Sequence, residues 1–296
     1  MPLDSLWPLR VATDPMKLTT GEWAGVLGVN VEAEYLFLEL DREQRRSLLR
    51  QAKTDGFESV RLHKLTRLMQ SLDFNSYFEA TLQGFLDDLI DFGLTLSLDI
   101  LSWPLKTTLS TGEVVGDGWK QWVYSSVELQ NRVNQIIDWL SSFYLDDKPL
   151  FKSDKLIGIC LFNENSLYAE PPSDISVISN NACKKMLRVG SLFRNVLQKK
   201  GYTGRIFLSN YQLDGDDQIC NLQFSKNIDR HLYFDYPQFN GSNLKVSGRS
   251  PLEFLNYWKA HYRKLFQEAS ECWISEINLP WPNQFMHEML PVILAL

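Results

Sequence analysis

Leu156-Ile157-Gly158-Ile159-Cys160-Leu161-Phe162-Asn163-Glu164-Asn165 is a short apolar run that ends abruptly in an acid. A run of this length, bounded by polar residues, reads as a buried strand. Cys272-Trp273-Ile274-Ser275-Glu276 repeats the pattern far downstream. Strands buried in this way belong to sheets covered by helices. A carboxylate at the C-terminal tip of such a strand stands where α/β barrels place their chemistry.

The rest of the chain supports that reading. Residues 25–31 form a first apolar run. Asp41 then caps a helix, with Gln44 in the capping-box position. Leu48, Leu49 and Ala52 give this helix an apolar face, and Gly56 ends it. A second strand covers residues 59–63. Phe78, Leu82, Phe85, Leu86, Leu89 and Ile90 recur at helical spacing, and Gly93 stops that helix before a third strand at 94–100.

Residues 101–127 read as a long loop. Val133, Ile136, Ile137, Leu140 and Phe143 mark the next helix, and the fourth strand follows. Met186, Val189, Phe193, Val196 and Leu197 line a helix closed by Gly201. Strands five and six fall at 205–210 and 230–235. Ser250-Pro251-Leu252-Glu253 is a strong helix start, and strand seven ends at Glu276.

This alternation predicts an α/β fold, a (β/α)8 TIM barrel that stops before its eighth strand. Residues 1–24 read as a lead-in, and 25–296 as a barrel domain with seven of eight βα units. No G-x-G-x-x-G follows the first strand, which disfavours a dinucleotide fold.

The 296 residues carry a net charge of −6 with no clustered basic patch, which argues against a nucleic-acid partner. No run reaches the roughly 20 apolar residues of a membrane span. Residues 1–20 lack a basic segment followed by an apolar core, so they do not read as a signal peptide. The expected location is cytoplasmic if the start is natural and secreted if the chain is an excerpt. Cys160, Cys183, Cys220 and Cys272 show no zinc spacing. Cys160 and Cys272 read as buried free thiols.

Glu164 and Glu276 suit the two-carboxylate chemistry of glycoside cleavage. One carboxylic acid protonates the leaving oxygen, and a carboxylate opposite it attacks the sugar. Arg61 is a candidate neighbour that would keep Glu276 ionised. Asn163 is placed to bind a sugar hydroxyl. His231 and Tyr233 alternate on strand six and so share a face. His63 and Asp99 end strands two and three, where either a substrate-binding or a structural role is open to them. Trp103 and Trp281 belong to a set of aromatics beyond strand ends, where flat rings suit the apolar face of a sugar. His63, Asp99, Glu164, His231 and Glu276 also admit a barrel metallohydrolase, although no H-x-H pair stands on the first strand.

Several pieces together resemble the clan A glycoside hydrolases, in particular the cellulase-like enzymes of family 5. Gly28-Val29-Asn30 is similar to their first-strand motif. Gly56-Phe57-Glu58-Ser59-Val60-Arg61-Leu62-His63 resembles the second. Phe162-Asn163-Glu164-Asn165-Ser166 resembles the acid/base strand. His231-Leu232-Tyr233 and Ile274-Ser275-Glu276 resemble strand six and the nucleophile strand.

The resemblance implies a retaining mechanism with Glu164 as acid/base and Glu276 as nucleophile. Arg61, Asn163, His231 and Tyr233 would surround them. It implies a β-linked oligo- or polysaccharide as substrate, no cofactor and no metal. A monomer is expected, with further C-terminal domains in a longer protein. Lys64-Leu65-Thr66 departs from the second His and the Asp that related proteins carry after His63. With the eighth strand lacking, a catalytically silent carbohydrate-binding barrel is the alternative.

Overall fold

The computed structural model describes residues 28–33, 35–63, 65, 76–101, 107–108, 114–115, 126–162, 180–207, 209–210, 224–225, 227–233 and 271–278. β1 (Gly28–Glu32) leads through a five-residue π-helix (Tyr35–Glu39) into α1 (Arg42–Thr54). β2 (Ser59–His63), α2 (Ser76–Asp91) and β3 (Thr95–Leu101) follow. The short strands β4 (Thr107–Thr108) and β5 (Val114–Val115) pair antiparallel before α3 (Ser126–Leu140), so the stretch expected as loop contains a small hairpin.

A second hairpin, β6 (Tyr144–Leu145) and β7 (Lys148–Pro149), precedes β8 (Leu156–Phe162) and α4 (Asn180–Lys199). β9 (Ile206–Phe207) and β10 (Ser209–Asn210) occupy successive parts of one strand position. β11 (Asn227–Tyr233) and β12 (Glu271–Asn278) complete the set. The helices expected from Ser250 and after Pro282 lie outside the described residues.

The chain builds its βα units locally. Asp41 Oδ1 accepts a hydrogen bond from the Gln44 N–H at 2.8 Å, and Gln44 Oε1 accepts from the Asp41 N–H at 2.9 Å. This satisfies two donors that would otherwise be orphaned at the start of α1. Gly56, Gly93 and Gly201 adopt φ of 89°, 65° and 89° after their helices, a backbone region that glycine enters without steric cost. Asp88 on α2 is buried and bonds both Arg42 and Arg46 of α1, which clamps the two helices together.

All principal strands run parallel. The ladders give the orders β1-β2-β3-β8-β9 and β10-β11-β12, and β8 and β9 lie against β10 and β11 across the seam. β12 then comes within 8 Å (Cα–Cα) of β1, so the sheet curls round on itself. This is the expected βα barrel, with seven strand positions among the described residues.

Alternation along the strands separates two cores. Val60, Leu62, Leu96, Leu98 and Ile100 pack outward with helix residues such as Phe85, Leu89, Ile137 and Phe193. The opposite face looks into the barrel. There Phe207 meets Trp273 with ring centroids 4.7 Å apart. β9 and β12 are not ladder neighbours, so this contact crosses the interior. Gly158 on β8 leaves the room for it. A Cβ at that position would lie 2.7 Å from Phe207 Cε2 and 3.2 Å from Trp273 Cη2.

Gly158→Val overfills this interior. The expected loss of stability is about 1–3 kcal/mol, measured as a lower midpoint of urea unfolding with an unchanged slope.

Candidate active site

Because the strands are parallel, their C-terminal ends share one face of the barrel. That face collects Glu32 from β1, His63 from β2 and Asp99 from β3. β8 reaches Phe162, two residues before Glu164. Glu164, Asn163, Trp103 and Trp281 lie outside the described residues.

β1, β2 and β3 bring a buried polar cluster together. Arg61 is 5% exposed and Asp99 1%. Arg61 Nη2 donates to Asp99 Oδ2 at 2.6 Å, a charge-assisted bond at the short end of its range. Arg61 Nη1 reaches Asn30 Oδ1 at 3.4 Å. Asn30 and Arg61 are register partners, so the ladder itself fixes this approach.

His63 stands between two carboxylates. Its Nε2 lies 3.6 Å from Glu32 Oε1, and its Nδ1 lies 3.7 Å from Asp99 Oδ2. These are ion-pair distances, too long for hydrogen bonds. Glu32 is the register partner of His63, and its side chain is 49% exposed. Glu32 is not among the residues expected from the sequence. The signal was present in Gly28-Val29-Asn30-Val31-Glu32, where polar residues recur at a period of two in an apolar strand.

Asp99 had two readings. Of the two roles open to it, the structure favours the structural one: it is buried and directs its carboxylate to Arg61 and toward His63.

The other half of the mouth is visible in its backbone. His231 of β11 sits opposite Glu276 of β12, and Tyr233 sits opposite Asn278. Glu276 is not the last residue of its strand, which continues to Asn278. The ladder slips immediately before it: Arg230 pairs with Ile274, but His231 pairs with Glu276. Ser275 is therefore the extra residue of a β-bulge. Bulges concentrate next to active sites, where they re-aim a side chain.

Among the described residues no group of three or more His, Cys, Asp or Glu is placed to hold a metal ion. Cys160 is a buried free thiol, as expected.

No protein-family model matches the chain, and no curated protein matches it. Solved structures do. The endo-1,4-beta-D-mannanase of Thermotoga petrophila is similar over 90% of this chain and 83% of its own, with a TM-score of 0.59 and 10% identity. GH5_18 from Streptomyces cattleya, solved in complex with GlcNAc, gives a TM-score of 0.61 at 16% identity over 90% of this chain and 66% of its own. The glycoside hydrolase family 5 mannosidase of Rhizomucor miehei gives 0.57 at 11% identity over 91% and 72%. At these identities the likeness is one of fold, and it confirms the α/β barrel.

The Arg61–Asp99 pair generates a stability prediction. Arg61→Met leaves the Asp99 carboxylate buried without its cation. The expected loss is about 3–5 kcal/mol, read from chemical unfolding.

Proposed function

We propose that the chain is a retaining glycoside hydrolase acting on β-linked glycans. The observation that carries the proposal is the bulge at Ser275. Trp273 projects into the barrel, where it touches Phe207. In a regular strand a residue three positions on would fall on the other face. The extra residue at Ser275 offsets that alternation, which supports a reading in which position 276 belongs to the inner set.

Alternation on β8 supports the same reading. Gly158 faces the barrel interior against Phe207 and Trp273. Counting by twos through Cys160 and Phe162 arrives at Glu164. The two glutamates would thus enter one mouth from separate strands. The solved structures with the same fold include mannanases, a mannosidase and a beta-glucosidase by name.

In this reading Glu164 protonates the glycosidic oxygen as that bond breaks. The Glu276 carboxylate attacks the anomeric carbon and forms a glycosyl ester. Glu164, now ionised, takes a proton from water, which attacks the same carbon and releases Glu276. His231 and Tyr233, at and beyond the register level of Glu276, support the sugar or the nucleophile. Asn163, His63, Trp103 and Trp281 complete the binding residues, and the reaction needs no cofactor.

The test is turnover of aryl β-glycosides. Glu164→Ala is expected to lower kcat by about 10²–10⁴-fold on substrates with poor leaving groups, and Glu276→Ala to abolish turnover. Undiminished turnover in either variant would overturn the assignment.

A further inference from the structure

The barrel interior near Phe207 and Trp273 is apolar, yet one buried ion pair sits at its C-terminal end. A buried pair is a poor device for stability alone. Apolar residues of the same volume usually serve as well or better, because desolvating two charges costs several kcal/mol. The pair therefore calls for a role in the site.

Three adjacent strands each supply one member. β2 carries Arg61, β1 offers Asn30 Oδ1 to Nη1 at 3.4 Å, and β3 offers Asp99 Oδ2 to Nη2 at 2.6 Å. Two acceptors on opposite neighbouring strands fix the plane of a rigid guanidinium fork. The Asp99 side chain is 0% exposed, so it does not meet a substrate itself. The same oxygen lies 3.7 Å from His63 Nδ1, so it faces both Arg61 and His63.

We infer that Asp99 is a positioning residue. Its buried carboxylate sets the orientation of the Arg61 guanidinium, the group that the glycosidase reading sets beside Glu276. This inference rests on the glycosidase reading. A misplacement of about 1 Å costs on the order of 10²-fold in rate, so the effect belongs mainly in kcat.

The experiment combines a mutant cycle with a readout that needs no turnover. On an aryl β-glycoside, Asp99→Asn is expected to lower kcat about 10–100-fold while KM stays within about threefold. Arg61→Lys should lower kcat as well. The double variant should be no worse than Arg61→Lys alone, since the two residues act as one unit. Multiplying effects, or an unchanged kcat in Asp99→Asn, would overturn the inference.

In parallel, ¹³C-detected NMR follows rotation of the Arg61 guanidinium, assigned by the signal that Arg61→Lys removes. Slow rotation in the parent chain supports the inference, and its acceleration in Asp99→Asn adds to that support. Free rotation in the parent overturns it, with no variant required to fold. If the parent chain and Glu276→Ala turn over substrate equally, the glycosidase reading fails by itself. The rotation measurement then decides the positioning of Arg61 alone.

Discussion

The 2.6 Å contact between Arg61 and Asp99 ties β2 to β3 inside the barrel, and the cluster at the mouth is arranged around it. The pair exists because strand register brings Asp99 to the level above Ser97, the ladder partner of Arg61. A long side chain on one strand can then reach diagonally to a short acid on the next. Asn30 steadies the other edge of the guanidinium, and Glu32 and His63 sit one step further toward solvent. Burial makes this arrangement strongly coupled. Removing either charge takes from the other a short, buried ion-pair partner.

What the sequence revealed is what local chemistry decides. The Asp41–Gln44 box and the glycines at positions 56, 93 and 201 stand where they were read, because a cap or a positive φ depends on a few neighbouring residues. The outward faces of α2, α3 and α4 follow from helical spacing, and Val60, Leu62, Leu96 and Leu98 from strand alternation. The hairpin at 144–149 was missed. Asp146 and Asp147 both take φ of 56° there, and the usual glycine signal for such a turn is missing.

The site was legible as a list of residues and not as a set of contacts. Arg61 and His63 stand on the second strand as read, His63 at its end and Arg61 at its middle. The partner of Arg61 lies 38 positions away, and only ladder register connects the two. The bulge at Ser275 was equally hidden. A slip of one residue leaves no mark in composition, yet it changes which residues of β11 and β12 stand opposite one another. Glu32 lay just past the first apolar run as read, which closed at Val31, whereas the strand continues to Glu32 and pairs it with His63.

These constraints converge on one distance. In the proposed reading, a parallel barrel with an apolar plug around Gly158, an oriented Arg61 guanidinium and a bulge before Glu276 would bring two carboxylates to a single mouth. A crystal structure that measures the separation of the Glu164 and Glu276 carboxyl groups tests this most directly. The account predicts about 5–5.5 Å, the spacing of a nucleophile and an acid/base, and a separation of about 6.5–9.5 Å, which leaves room for a water between them, would contradict it.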